Sequence, residues 1–138
     1  MIVWFCIFIF NLENLIYYIM KQDFINKITT SYSPKGDFIQ LGSGLLNGEV
    51  VTDAKVNLAL KMMNRHGLIA GATGTGKTRT LQLMAEQLSD KGVPVFMLDV
   101  KGDLSGLAEG GKTNEALLER GAAVGIPFEP SSFPIEIF

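Results

Sequence analysis

The sequence has few of the residues that build a metal centre or a disulfide framework. Its 138 residues include one cysteine, one histidine and one tryptophan. A single cysteine excludes an intramolecular disulfide, and no cluster of cysteine and histidine offers a zinc site. An excess of either charge is also lacking, because 12 basic residues stand against 14 acidic ones, a net charge of −2. That balance supplies no electrostatic signature of nucleic-acid or anionic-lipid binding.

A hydrophobic run long enough to span a membrane is missing as well. Residues 1–20 contain 17 hydrophobic residues, but Asn11 and Glu13 interrupt them well before the roughly 20 residues that a spanning helix needs. Neither a basic n-region nor a small-residue cleavage site marks a signal peptide. We interpret residues 1–20 as an apolar extension from a misassigned start, with the natural start at Met20. A membrane anchor and a buried helix or strand are the alternatives.

The next segment, residues 21–64, is predicted to contain a short helix and a small β-rich region. Apolar residues recur at helical spacing over Lys21–Thr30. Phe38–Leu41 and Glu49–Thr52 are strand-like runs separated by glycines, which indicates a hairpin or part of a small barrel. Residues 54–64 fit either a strand or a helix.

Residues 65–138 alternate between apolar runs and amphipathic segments. Strands are predicted at Gly67–Ala70 and Val93–Leu98, helices at Arg79–Lys91 and Thr113–Arg120, and the beginning of a third strand at Phe133–Phe138. This alternation is typical of α/β proteins in which right-handed crossovers connect a parallel sheet. We therefore expect residues 65–138 to form an α/β domain built on a parallel sheet.

A glycine-rich loop follows the first predicted strand. Gly71–Thr78 matches the phosphate-loop (Walker A) pattern G-x-x-x-x-G-K-[ST] of ATP-binding proteins. Glycines let backbone N–H groups wrap phosphates closely, and the helix that opens at Lys77 adds its positive dipole end. The Lys77 ammonium would reach the β- and γ-phosphates, and the Thr78 hydroxyl is a hard ligand for Mg²⁺.

The predicted cofactor-binding residues are Gly71, Ala72, Thr73, Gly74, Thr75, Gly76, Lys77, Thr78 and Arg79. Arg79 lies just inside the helix, where it either reaches the α-phosphate or faces solvent. The pattern also occurs a second time, at Gly106–Thr113. No apolar strand precedes that match, and its Glu109 would place a carboxylate against phosphate oxygens. We predict that the first match is the site and that the second is a coincidence. Residues 65–138 are therefore expected to form a truncated P-loop nucleoside triphosphatase domain.

Three further residues are candidates for chemistry. Asp99 ends the second predicted strand, at the edge of a sheet where ligands bind. It is either a catalytic Walker-B-type acid that holds Mg²⁺ or the cap of the turn at Lys101–Asp103, and both interpretations stay open. Asp103 is a weaker candidate for the same role. His66 fits a structural role better than a catalytic one.

Two segments carry a family resemblance. Arg65–Thr78 and Phe96–Gly106 resemble the HerA-like helicases, bacterial ATPases of the HerA/FtsK superfamily of ring-forming DNA translocases. The resemblance covers about residues 23–138. It implies a RecA-like core, a cytoplasmic protein that uses ATP and Mg²⁺, a hexameric ring and double-stranded DNA as the track. It also implies that Lys77 acts on the nucleotide and that Asp99 lies beside the phosphates.

A translocase core also needs a later Walker-B strand, a polar sensor and an arginine finger. None of these three features is recognised in the sequence, which stops at Phe138 within an apolar run. We therefore expect an amino-terminal piece of a longer protein, with an incomplete RecA-like core and almost no hydrolysis of its own. A P-loop small-molecule kinase and an ATP-binding module without turnover are the alternatives.

Overall fold

The computed structural model describes residues 2–102 and 104–136. In chain order the elements are helix α1 (Ile2–Tyr32), strands β1 (Phe38–Leu46) and β2 (Glu49–Ala59), a 3₁₀ turn (Leu60–Met62), helix α2 (Lys77–Asp90), a second 3₁₀ turn (Ser105–Ala108) and helix α3 (Glu115–Val124). Within these residues the chain is an α/β protein with three helices and one two-stranded antiparallel sheet.

The hairpin of β1 and β2 is set by its two-residue turn. Asn47 and Gly48 both have positive φ, at 53° and 84°, as a type I′ turn requires, and this turn matches the natural twist of the paired strands. The register is irregular within residues 40–44, where the extra residues bend the strands. The predicted hairpin is confirmed, and β2 continues through the ambiguous segment as far as Ala59.

Helix α1 is much longer than the helix predicted over Lys21–Thr30, which proves to be its last third. The earlier residues are apolar nearly all round, so they show no helical periodicity in the sequence even though none of them breaks a helix. The helix ends at Tyr32, two residues before Pro34, as proline disfavours helical backbone in the preceding residue. No helix in the described ranges combines the length and apolarity needed to cross a membrane.

The carboxyl-terminal half of α1 packs on the hairpin through an aromatic ring over a glycine. A methyl group added at Gly44 would lie 2.7 Å from Phe24 Cζ and 3.3 Å from Ala54 Cβ. Ala54 and Val51, which pairs with Gly44 in the sheet, are both buried, as is Ile39 earlier on β1. The small apolar core of this half of the chain therefore depends on the absence of a side chain at Gly44.

We expect Gly44→Ala to lower the free energy of unfolding by about 1–3 kcal/mol, because the added methyl overpacks the contact with Phe24. Gly42→Ala is the matched control, since it lies on the same strand and a methyl there meets no atom within 4 Å. Thermal unfolding of the two variants checks the prediction. Equal melting temperatures for them would show that α1 does not pack here.

Helices α2 and α3 both dock on β1 through hydrogen bonds to its backbone or side chains. The carboxamide of Gln87 on α2 accepts from the Gln40 N–H at 2.7 Å and donates to the Gln40 carbonyl at 2.8 Å. Ser43 Oγ donates to the carbonyl of Val124, the last residue of α3, at 2.8 Å. The hairpin is thus joined both to the helix that follows the glycine-rich loop and to the last helix of the chain.

The parallel sheet expected from the sequence is not seen in the described residues. Neither 67–70 nor 93–98 forms a ladder, and Phe133–Glu136 is also irregular. The N–H of Val93 is bonded instead to the last turn of α2, at Leu88 O, and Pro94 has no N–H to donate. A parallel strand also needs a partner that is distant in the chain, because no short turn can connect the two. Without such a partner, Leu68 and Phe96 are 89% and 81% exposed. The last two residues of the third predicted strand lie outside the described ranges.

Candidate functional site

The glycine-rich loop Gly71–Thr78 runs directly into α2, whose first residue is Lys77. Gly74 and Gly76 have φ of 80° and 96°, a left-handed conformation that side-chain-bearing residues rarely adopt. At Gly71 the limitation is space, because a methyl group would lie 2.5 Å from Thr75 Oγ1. Each of the three glycines in the loop, Gly71, Gly74 and Gly76, therefore has a physical reason to be glycine.

The loop is closed by bonds to one carbonyl oxygen. Ala72 O accepts from Thr75 Oγ1 at 2.8 Å and from Lys77 Nζ at 2.7 Å. The half-buried Lys77 side chain therefore folds back from the helix across the loop. Such an ammonium is placed where it can exchange a carbonyl oxygen for phosphate oxygens without a change in the helix.

The first turn of α2 points N–H groups towards the loop. Its first intrahelical bond runs from Thr80 N to Gly76 O at 2.9 Å, so the preceding N–H groups have no intrahelical acceptor. In the part of the chain that the structure describes, no side chain caps the helix at Gly76. Free N–H groups and the positive end of the helix dipole together form a local environment that attracts anions.

Arg79 and Thr78 are both exposed on the first turn. Arg79 Nη1 donates to Gln82 Oε1 at 2.9 Å, so the guanidinium lies along the helix surface rather than over the loop. The structure thus brings together all eight residues of the loop and places Arg79 beside them. Nucleotide binding by these residues is a prediction.

Asp99 is surrounded by the backbone of its own turn. Its Oδ1 accepts from the N–H groups of Lys101 at 3.2 Å and Gly102 at 2.9 Å, and its Oδ2 accepts from Leu104 N at 2.7 Å. This geometry supports the turn-capping interpretation, and the metal-binding interpretation stays a prediction. Asp103 lies outside the described residues. His66 is exposed before the loop.

The second pattern match, Gly106–Thr113, has a different local structure. Its first residues form a 3₁₀ turn, and the following helix begins only at Glu115, so Lys112 and Thr113 precede it. The side chain of Asn114 already caps that helix by accepting from Leu117 N at 2.8 Å. An identical pattern therefore produces no lysine at a helix N-terminus here, which supports its interpretation as a coincidence.

An open groove of about 1340 Å³ lies along α2, between its Glu86 face and the segments 92–99 and 133–136.

Burial raises the pKa of Glu86 above its ordinary value, the negative charge of Asp90 raises it further, and the positive charge of Arg79 lowers it. A raised pKa in the folded state means that folding favours the protonated acid. The contribution of Glu86 to stability is therefore greatest below the pKa that Glu86 has in the unfolded chain. It declines as pH rises through the higher pKa that Glu86 has in the folded chain.

We expect Glu86→Gln to raise the melting temperature at pH 7 and to leave it unchanged near pH 3, where the glutamate is protonated in both states. The gain should be below about 1 kcal/mol because the group is only partly buried. Thermal unfolding at the two pH values measures it, with Glu119→Gln on the exposed surface of α3 as the control. A loss of stability at pH 7 would contradict the sign.

Sequence reasoning missed Gln87, which holds the loop-bearing helix to the hairpin. A glutamine within a helix is ordinary, and its partner is the backbone of Gln40, so neither residue type carries a signal.

Within the described ranges, no three histidine, cysteine, aspartate or glutamate side chains are grouped so that they could hold a metal ion. A magnesium ion held by Thr78 and nucleotide oxygens would not need such a cluster.

The family is established by a match that covers more than half of the chain. The family model described as Helicase HerA-like C-terminal matches residues 45–138. The chain belongs to this family and is thereby related to the HerA helicases. The match contains the loop, Asp99, the hairpin turn and β2, whereas α1 and all but the last two residues of β1 precede it. No curated protein and no solved structure gives a significant match.

Proposed function

We propose that this chain binds Mg²⁺–ATP at Gly71–Thr78 and that it is part of a HerA-like ATPase that acts on DNA. The observation that carries the proposal is the loop itself, in which left-handed glycines turn the backbone into the N-terminus of α2 and Lys77 Nζ lies 2.7 Å from Ala72 O. Membership in the HerA-like family supports the choice of ATP over other anions.

Each part of the loop has a separate task in this proposal. The N–H groups of the loop and of the first turn of α2 would bind the α- and β-phosphates. Lys77 would move from the Ala72 carbonyl to the β- and γ-phosphates, and the Thr78 hydroxyl would be a ligand of Mg²⁺. Arg79, which is exposed at the first turn, can rotate from Gln82 towards the α-phosphate.

The activity of the whole assembly is proposed from the family. HerA-like membership supports hydrolysis of ATP by in-line attack of water on the γ-phosphate, with movement along double-stranded DNA and a ring of six copies. Such an enzyme would work in the cytoplasm, where both ATP and DNA are present. For Asp99 the three N–H bonds to its carboxylate favour the turn-capping role, and the metal role is the alternative that the Asp99 variants test.

Titration of the full chain with a fluorescent ATP analogue tests the proposal. We expect saturable binding that strengthens with Mg²⁺, that unlabelled ATP competes away and that AMP does not, because AMP lacks the β- and γ-phosphates bound by Lys77. A folded chain that binds no ATP would reject the proposal. Transfer of phosphate to a small acceptor would favour the kinase, and ATPase activity that rises with DNA would favour the translocase.

A further inference from the structure

The helix that carries Lys77 is hydrogen-bonded to the hairpin through the carboxamide of Gln87. Gln87 Oε1 accepts from the N–H of Gln40 and Gln87 Nε2 donates to its carbonyl, at 2.7 Å and 2.8 Å. These are the two groups by which a neighbouring strand would pair with β1. The Gln87 side chain thus occupies a strand's position along β1 and joins α2 to the hairpin at this point.

The contact continues beyond the hairpin to the last helix. Gln40 Nε2 donates to the carbonyl of Gly125 at 3.3 Å, and Ser43 Oγ donates to that of Val124 at 2.8 Å. The backbone of Gln40 therefore binds α2, whereas its side chain binds the segment that ends α3. The two contacts use different atoms of one residue, so each can be removed without the other.

We propose that Gln87 is a positioning residue for nucleotide binding, which holds α2 so that Lys77 and Thr78 stay in register with the glycine-rich loop. The inference rests on the proposed function. Gln87 touches no part of the loop, since it lies ten residues along the helix from Lys77, about 15 Å at 1.5 Å per residue. A helix transmits a shift at one end to the other, so a loosened Gln87 contact displaces the first turn.

The cost of such a displacement can be large for a site that binds through several short bonds. A binding constellation has to be held within about 0.5 Å, and a misplacement of 1 Å far from the reacting groups can cost on the order of 100-fold. We therefore expect loss of the Gln87 contact to weaken Mg²⁺–ATP binding by about tenfold while the loop sequence is unchanged.

Gln87→Leu and Gln40→Ala separate positioning from stability. Gln87→Leu removes both bonds to β1. Gln40→Ala removes the side-chain bonds of Gln40 to Gly42 and Gly125 but keeps the backbone groups that Gln87 binds. Binding of the fluorescent ATP analogue is measured for both full-length variants at a temperature where circular dichroism shows them folded. We expect about tenfold weaker binding for Gln87→Leu and unchanged binding for Gln40→Ala.

Hydrogen exchange in the unmodified chain gives a second, independent readout. Mg²⁺–ATP should slow exchange at the Gln40 amide, which donates to Gln87, and should leave the Leu60 amide, which donates to Asp37 O, unchanged. This measurement decides the matter if Gln87→Leu does not fold. A merely structural contact would lower the melting temperature of Gln87→Leu without either effect.

The possible failures are distinguishable. If the unmodified chain is folded and binds no ATP, the proposed function fails and the positioning role fails with it. If the unmodified chain binds ATP, equal affinity in Gln87→Leu or an unaltered Gln40 amide overturns the positioning role alone. Equal weakening in Gln40→Ala and Gln87→Leu also overturns it, since general loosening of the hairpin would then explain both.

Discussion

Lys77→Ala should weaken Mg²⁺–ATP binding by about 100-fold or more. The Lys77 ammonium folds over the loop, where its Nζ lies 2.7 Å from Ala72 O. Two charge-assisted bonds to phosphate at about 1.5–3 kcal/mol each account for a loss of this size. Titration with the fluorescent analogue measures it, and circular dichroism establishes that the variant is folded.

Lys112→Ala is the matched control, because Lys112 occupies the same position of the same pattern in Gly106–Thr113. It precedes α3 instead of beginning it, and Asn114 caps that helix. We expect wild-type affinity for Lys112→Ala. If Lys112→Ala weakens binding and Lys77→Ala does not, the two loops have been assigned the wrong way round.

The two pattern matches show which part of a site the sequence predicts. Gly71–Thr78 was selected by its context, an apolar run before it and an amphipathic helix after it. The structure adds the local reason, since α2 begins at the lysine in the first match and α3 begins two residues after the threonine in the second. Helix start signals are local and readable, and α2 was predicted to within two residues at its N-terminus.

The hairpin was also predictable from local chemistry. Strand-like runs separated by glycines identified it, and Asn47-Gly48 is the dipeptide that a type I′ turn favours. The length of α1 was not predictable, because a nearly uniform apolar segment has no periodicity to mark it as a helix. Its packing on the hairpin was not predictable either, because the contact between the Phe24 ring and Gly44 joins residues that are 20 positions apart and whose types do not signal it.

Contacts between segments that are distant in the chain could not be predicted from the sequence. The strands predicted at 67–70 and 93–98 needed partners far along the chain, and the described residues pair neither of them. Gln87 and Gln40 are 47 residues apart, and the bond between them uses backbone groups that every residue has. Local sequence signals therefore locate the candidate site, whereas the contact between Gln87 and Gln40 that holds α2 on the hairpin could be found only in the folded structure.

Asp99→Asn and Asp99→Ala distinguish the two roles proposed for Asp99. Asparagine keeps an oxygen that can accept from the N–H groups of Lys101 and Gly102, but its amide cannot accept from Leu104 N as Oδ2 does. Alanine loses all three bonds. We expect a loss of about 2 kcal/mol in the free energy of unfolding for alanine and about half of that for asparagine, measured by denaturant titration.

The nucleotide affinity of the same variants then decides the role in metal binding. Because the carboxylate is committed to the backbone of its own turn, we expect Asp99→Asn to bind Mg²⁺–ATP like the unmodified chain. An Mg²⁺ ligand would behave differently, since its loss weakens binding when Mg²⁺ is present and leaves metal-free ATP binding unchanged. A tenfold loss confined to the Mg²⁺ titration would therefore assign Asp99 to the metal, and a stability loss without it would assign Asp99 to the turn.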